Sequence, residues 1–430
     1  MTFDTLRADH MSLVGYPRQT TPRLEEFADG GLSFERAFAQ WPKTGTSFAS
    51  IFSGLYPQTT GLTHRAALLL PSSLPILPEL LQSQGFTTVA VVSNPVLSKE
   101  LGWSRNFDEY LQTWTDTSSN DPFHYRPQIN ALRVNELALD LLDRHRDDER
   151  LFAWIHYSDP HAPYLLPEGR ENPFEGDAWF ADGPDLEPDL AGTRGRAIPG
   201  VSSLREYVSL YDANVRVADE AAGQLLDHAE SLGLLEDAAV AITADHGESL
   251  GEHRLFFEHG PLPHDPGVHV PLVLRGTGVP AGTTLSGPVA LVDLLPTLCG
   301  WLNVICPEGD GESLARFYDG RPVGQAALAF SEAGHRPNHF RMVWDERFKL
   351  VYRSLRKASF PDPDATFELF DLTTDPQERR NVIDDFPEDA RRLQRALVDW
   401  VRSARKPGED DSPLSPAQKQ ALEAMGYATQ

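Results

Sequence analysis

Three times along this 430-residue chain, a stretch with helical apolar spacing is followed by a short apolar run suited to a buried strand. Leu74 to Gln84 has the helical spacing and stops at Gly85; Phe86 to Val92 then reads as a strand rich in β-branched residues. Asn130 to His145 carries Leu132, Leu137, Leu141 and Leu142 on one side, and Leu151 to His156 follows as a strand. Tyr207 to Leu232 is a long helix ended by Gly233, and Ala238 to Thr243 is the next strand. Helix then strand, repeated, predicts an α/β fold with a mostly parallel sheet covered on both faces. From about Ala326 the pattern changes. Phe340 to Tyr352 and Phe367 to Leu372 read as strands of a smaller antiparallel sheet, and Pro387 to Arg405 as a final helix. The division that follows is a large domain over 1–325 and a small C-terminal α+β subdomain with its tail over 326–430.

Charge narrows the partners. With 63 acidic residues against 38 Lys plus Arg, the formal net charge is −25. Nucleic acid and anionic lipid both need a basic surface, so neither is expected as the main partner. No run of 18 or more apolar residues exists, so no integral membrane segment is expected. Glu171 to Leu190, with seven acidic residues, three prolines and no Lys or Arg, reads as an exposed acidic loop. Cys299 and Cys306 are too few for a disulfide framework and read as buried structural thiols. Met1 to His10 has no signal-peptide pattern, which points to the cytoplasm.

In an open parallel sheet, function gathers at the carboxyl ends of the strands, and three segments place polar residues there. Asp4 follows a short apolar strand and suits a metal ligand, although alone it also suits a turn or cap. The run Trp41-Pro42-Lys43-Thr44-Gly45-Thr46-Ser47 opens an apolar helix, where backbone N–H groups favour developing negative charge. A Thr44 hydroxyl held there beside a cation becomes a candidate nucleophile. Asp245-His246-Gly247-Glu248 follows the strand ending at Thr243 and supplies an adjacent oxygen and nitrogen ligand pair. Together Asp4, Thr44, Asp245 and His246 make a ligand set for one divalent metal, with Mn, Mg, Ca and Zn all admissible.

These motifs resemble the sulfatase branch of the alkaline phosphatase superfamily. The likeness runs through Asp4-Thr5-Leu6-Arg7-Ala8-Asp9-His10, Thr21-Pro22-Arg23-Leu24, Ala49-Ser50-Ile51-Phe52-Ser53-Gly54, Asp245-His246-Gly247-Glu248 with Gly251-Glu252-His253, Val292-Asp293-Leu294-Leu295-Pro296-Thr297, and Glu368-Leu369-Phe370-Asp371-Leu372 with Asp375-Pro376. The resemblance implies an alkaline-phosphatase-like sheet domain followed by a small antiparallel sheet with a helix. The departures bear on chemistry. Sulfatases carry Cys or Ser, matured to formylglycine, five residues before the Ala that matches Ala49; here that position is Thr44. Oxidising a secondary alcohol gives a ketone, so Thr44 yields no formylglycine. The Arg expected four residues on is Phe48, the paired Asp-Asp is Asp4-Thr5, and the last ligand is His246 where many sulfatases have Asn. A Thr with Asp-His resembles the phosphoester-cleaving relatives, and Lys43 before Thr44 resembles the phosphoglycerol transferases.

The resemblance therefore implies a metal-dependent hydrolase of a small anionic ester, with phosphoric esters ahead of sulfuric esters. Transfer to an acceptor alcohol and a non-catalytic scaffold rank behind. His161, in Asp159-Pro160-His161, matches a family His that touches substrate oxygens and is the candidate general acid; His259 falls where relatives carry Lys or His near the anion. Lys43 is placed to stabilise charge on the transferred group. Arg7 and His253 read as scaffold. A second metal would draw on Asp159, His161 and His259, and one metal is preferred. Only Met1-Thr2-Phe3 precede Asp4, fewer than the family's first strand, so the expected true start lies upstream, where a signal or anchor would overturn the cytoplasmic reading.

Overall fold

The computed structural model describes residues 1–63, 69–114, 129–177, 198, 200–319, 327–335, 337–355 and 364–404. In chain order its elements are β1 (Thr2–Asp4), α1 (Pro22–Ala28), β2 (Leu32–Phe38), α2 (Thr44–Ser53), α3 (Leu77–Ser83), β3 (Thr87–Val92), β4 (Glu109–Gln112), α4 (Ala131–Arg144), β5 (Leu151–Pro160), α5 (Leu204–Ser231), β6 (Val240–Ala244), β7 (Ser249–Leu250), β8 (Phe256–Glu258), β9 (His269–Arg275), β10 (Thr283–Leu285), β11 (Val289–Ala290), α6 (Leu294–Leu302), β12 (Ala329–Ala333), β13 (His339–Trp344), β14 (Phe348–Ser354), β15 (Thr366–Asp371) and α7 (Pro387–Ser403).

The large sheet runs β10-β2-β9-β6-β1-β5-β3-β4, with β11 also on β2. It is parallel except around β9, which is antiparallel to β2 and β6. β1 lies in mid-sheet, with Thr2 opposite both His156 of β5 and Thr243 of β6. The parallel run β6-β1-β5-β3 therefore delivers its carboxyl ends to one edge. The elements form where local chemistry favours them. Thr87-Thr88-Val89-Ala90-Val91-Val92 has the β-branched composition of a strand buried on both faces, and its last five residues are buried. Asn130 caps α4 by accepting from Arg133 N at 3.1 Å, and Ser203 with Glu206 forms a capping box at the start of α5. The first core packs Phe3, Phe48, Trp103, Trp154 and Tyr157 between sheet and helices.

A second core gathers under the antiparallel sheet β12-β13-β14-β15 and the apolar face of α7, Ala390, Leu393, Leu397 and Trp400. The run Phe340 to Tyr352 is a hairpin rather than one strand: Asp345 Oδ1 accepts from Arg347 N at 2.8 Å and Phe348 N at 2.6 Å, closing the turn. Phe38 of β2 stacks on Trp344 at 4.2 Å and brings the large sheet into this second core. The 325/326 boundary falls in residues outside the described set, as does the Glu171–Leu190 loop beyond Asp177.

One expectation is corrected. Cys299 and Cys306 form a disulfide rather than separate thiols. Asn303, at φ 51°, reverses the chain after α6, and Val304 N bonds Cys299 O at 3.0 Å. That turn brings the two Cα atoms to 5.6 Å. No helix among the described residues is long and apolar enough to cross a membrane.

Candidate active site and metal centre

The carboxyl ends of β1, β3, β5 and β6 converge as the sheet order requires. Asp4 ends β1, Asn94 follows β3, Asp159 and His161 lie at the end of β5, and Asp245-His246 follow β6. Thr44 opens α2, whose ten residues are all buried. Ser47 Oγ donates to Asp245 O at 2.5 Å and ties that helix to the Asp-His turn. Gly247 is required here: a Cβ would sit 2.1 Å from Pro266 O.

Carboxylate oxygens of Asp4 and Asp245 and a ring nitrogen of His246 lie within 4.8 Å of one another, all fully buried. His246 Nε2 is 3.5 Å from Asp245 Oδ2 and 3.9 Å from Asp4 Oδ1. Thr44 Oγ1 is 3.3 Å from the same nitrogen. His246 Nδ1 faces Gly247 O at 2.8 Å, and a carbonyl only accepts. The proton therefore sits on Nδ1, and Nε2 presents its lone pair to the two carboxylates. Asp245 Oδ1 accepts from the amides of Thr5 at 3.3 Å and His246 at 2.8 Å. Its Oδ2 is buried with no hydrogen-bond partner among the described residues. Burial pushes the Asp245 carboxyl up to about 7. Two buried carboxylates, a hydroxyl and an imidazole lone pair aimed at one point are a donor set that fits a divalent cation.

A second cluster adjoins the first. His161, Glu248 and His259 also offer atoms within 4.8 Å of one another. His161 Nδ1 donates to Ala162 O at 2.5 Å and His259 Nδ1 to Pro42 O at 3.0 Å. Both therefore carry the proton on Nδ1, as His246 does. The His259 ring lies 4.3 Å from that of His246 and 5.4 Å from that of His161. Tyr164 donates its hydroxyl to Glu248 Oε2, and Glu248 is fully buried. Lys43 caps α2 and is exposed, with its stem over Gly260, where any Cβ would collide with Lys43 Cε.

The structure thus brings Asp4, Thr44, Asp245 and His246 together, with His161 and His259 beside them. Asp159 differs from expectation. Its Oδ2 accepts from Ala131 N at 2.7 Å and caps α4, and Glu248 takes the place expected of it in the second cluster. Arg7 is buried between Asp9 and Glu252, at 2.7 Å from each, and donates to Glu248 O at 3.2 Å. His253 stacks on His264 at 3.4 Å, away from Thr44's cluster. Asn94 and His156 were not singled out in the sequence. Asn94 donates to Asp4 Oδ2, and its place just after a strand was a usable signal. His156 lies within β5, fully buried, and burial lowers its pKa to about 3.

A mostly parallel sheet with Asp and Asp-His at the ends of its central strands and Thr opening a helix beside them has the fold of the alkaline phosphatase superfamily. The family model Sulfatase matches residues 2–304, and the chain belongs to the sulfatase family of hydrolases. It is 24% identical over 409 residues to an ulvan-active sulfatase of Formosa agariphila, covering 88% of this chain and 75% of that one. It is 23% identical over 422 residues to a choline-sulfatase of Rhizobium meliloti, covering 84% and 77%. Among solved structures, a phosphonate monoester hydrolase of Agrobacterium radiobacter superposes with a TM-score of 0.75 at 21% identity, covering 93% of this chain and 94% of that one.

Proposed function

We propose that this protein is a metal-dependent hydrolase that cleaves phosphoric esters, monoester or diester, with Thr44 as nucleophile. The observation that carries the reading is the position of Thr44. Its hydroxyl sits at the start of α2, 3.3 Å from His246 Nε2 and beside two buried carboxylates. A secondary alcohol there is a nucleophile in its own right and cannot be the aldehyde precursor of a sulfatase. Asp4, Asp245, His246 and Thr44 would hold the cation. When bound, a divalent cation lowers the pKa of the hydroxyl and offsets the charge of an anionic ester.

The chain's own groups account for the remaining steps. Thr44 releases its hydroxyl proton to solvent as Oγ attacks phosphorus in line, and the bond from phosphorus to the leaving oxygen breaks. The backbone N–H groups opening α2 face the negative charge that develops. His161, entering as an imidazolium with its second proton on Nε2, hands that proton to the leaving oxygen and recovers one from the attacking water, with its ring oriented by the Nδ1 bond to Ala162 O. Water then attacks phosphorus, the bond to Thr44 breaks, and the hydroxyl regains its proton. His259, beside His246, and Lys43, next to Thr44 in the chain, would stabilise charge on the transferred group.

Two further readings have support of their own. Sulfuric ester hydrolysis is favoured by the two curated relatives, both sulfatases by name. A second cation is favoured by His161, Glu248 and His259, since both imidazoles are tied at Nδ1 and offer Nε2 to one buried carboxylate. Metal analysis of the purified chain separates one ion from two.

The deciding experiment compares aryl phosphate monoester, phosphodiester and sulfate ester, with each divalent metal, for wild type and Thr44→Ala. Metal-dependent phosphoester turnover that falls at least about a thousandfold in Thr44→Ala is the expected result. A preference for the sulfate ester overturns the phosphoester reading, and full activity in Thr44→Ala removes Thr44 as nucleophile.

A further inference from the structure

Asn94 follows β3, is buried, and uses both ends of its side-chain amide. Its Oδ1 accepts from Val96 N at 2.9 Å and caps the short 3₁₀ turn Pro95–Leu97. With the oxygen committed to a backbone N–H, the other branch of the amide is the nitrogen, and that nitrogen donates to Asp4 Oδ2. The cap thus fixes which end of the amide faces Asp4. Ser93 Oγ donates to His156 O at 2.8 Å and holds the same segment against β5.

The two oxygens of Asp4 are set apart by this contact. Oδ2 takes the Asn94 N–H, while Oδ1 lies 3.9 Å from His246 Nε2, the nitrogen that Asp245 and Thr44 also approach. An aspartate's χ2 is a broad, roughly two-fold torsion, so burial alone does not set how its carboxylate is turned. The residue type at position 94 matters as well. A cap needs only an acceptor, which Ser, Thr and Asp supply as readily as Asn. Ser and Thr end one bond earlier than the Asn amide nitrogen, and Asp would set a third carboxylate beside two buried ones. Asn joins the cap acceptor to a neutral donor that reaches Asp4.

We propose that Asn94 is a positioning residue for the metal centre: by holding Asp4 Oδ2 it keeps Oδ1 turned toward the point where a cation would meet His246 Nε2. The proposal rests on the metal-site reading given above. A carboxylate already turned to its cation loses less freedom when the cation binds, and partners that orient ligands in this way raise metal affinity.

The test uses the full chain with Co(II) as probe, read by equilibrium dialysis and by d–d absorption. Asn94→Ser keeps a cap acceptor and removes the reach to Asp4. Asn94→Ala removes both. The expected result is Co(II) affinity weakened roughly tenfold or more, and to a similar extent, in the two variants. At saturating Co(II) the d–d band of both departs from that of the wild type, because the Asp4 carboxylate is free to turn. In EDTA, Asn94→Ala unfolds at lower urea than Asn94→Ser, which separates the cap from the metal centre. Should Asn94→Ala fail to fold, Asn94→Ser decides alone. Unchanged affinity and spectrum in Asn94→Ser, with uptake abolished in Asp4→Ala, show that Asn94 only caps the turn and overturn this proposal alone. Uptake that survives in Asp4→Ala, or none in the wild type, overturns the metal-site reading and this proposal together.

Discussion

Two of the clusters of buried charge among the described residues are neutralised differently. At the joint between the two cores, Lys349 is fully buried, with its Nζ 2.8 Å from Asp265 and 2.5 Å from Glu378. It also donates to Pro263 O at 2.6 Å. Burial pushes Glu378 up, but Lys349 and His264 beside it prevail and hold its pKa at about 2. At the end of the large sheet, burial pushes Asp245 up to about 7 with nothing of equal strength opposing it. The joint carries its own counter-charge. At Asp4, Asp245 and His246 the proposed cation would supply it. That contrast separates a polar cluster that fastens two cores from one that serves a ligand.

The largest effect expected from breaking the contrast lies at the joint. Lys349→Met leaves buried Glu378 and half-buried Asp265 without their cation, and should cost about 3–5 kcal/mol of stability in urea unfolding. Adding Glu378→Gln to the same chain should return much of that loss, because the uncompensated charge is then gone. Phosphoester turnover per folded molecule should stay near wild type in both, since neither residue touches the Thr44 cluster. Equal destabilisation of the single and double variants would show that the joint is held by packing rather than by charge.

The two regions were unequally legible in the sequence. The sheet was read from runs such as Phe86 to Val92 and Leu151 to His156, because a buried parallel strand is a continuous apolar run whatever its neighbours. Asp4, Thr44, Asp245 and His246 were legible because each sits at a strand or helix end, where side chains have a direction that sequence order fixes. Glu248 was quoted within its motif, yet its meeting with His161 and His259 joins segments far apart in the chain. His156 has no local signal: it looks like one more residue of an apolar strand, and only the pairing of β1 with β5 places it opposite Thr2. The bridge between Cys299 and Cys306 depends on the left-handed turn at Asn303, which residue counting does not reveal. Lys349 reads as an exposed strand residue until the hairpin is packed against Asp265.

A smaller effect sharpens the contrast from the ligand side. A divalent cation held at one hundred times its dissociation constant should stabilise the wild type by about 2.7 kcal/mol, seen as a rise in Tm. The same cation should still raise the Tm of Lys349→Met, because Asp4, Asp245 and His246 are intact in that variant. It should do nothing for Asp4→Ala. A cation that stabilises Asp4→Ala as well would be acting elsewhere on this acidic surface.

The smallest effect is the most discriminating, because the two clusters predict opposite signs. The folded-state pKa of Asp245, about 7, lies above the model value of 3.8, so in the cation-free chain the folded state holds a proton that the unfolded state has released. Its contribution to stability is fully present below pH 3.8 and is lost as pH rises through about 7. The folded-state pKa of Glu378, about 2, lies below its model value of 4.5; its contribution is present above pH 4.5 and is lost as pH falls through about 2. Removing each charge should therefore act in opposite directions at pH 8 in EDTA. Asp245→Asn should stabilise the cation-free chain, by about 2 kcal/mol, while Glu378→Gln destabilises it. Urea titrations at pH 5 and pH 8 read both, and the Asp245→Asn gain should shrink at the lower pH, where the wild-type carboxyl is already protonated. If Asp245→Asn instead weakens the cation-free chain at pH 8, Asp245 is a structural anion like Glu378, and the distinction between the two clusters fails.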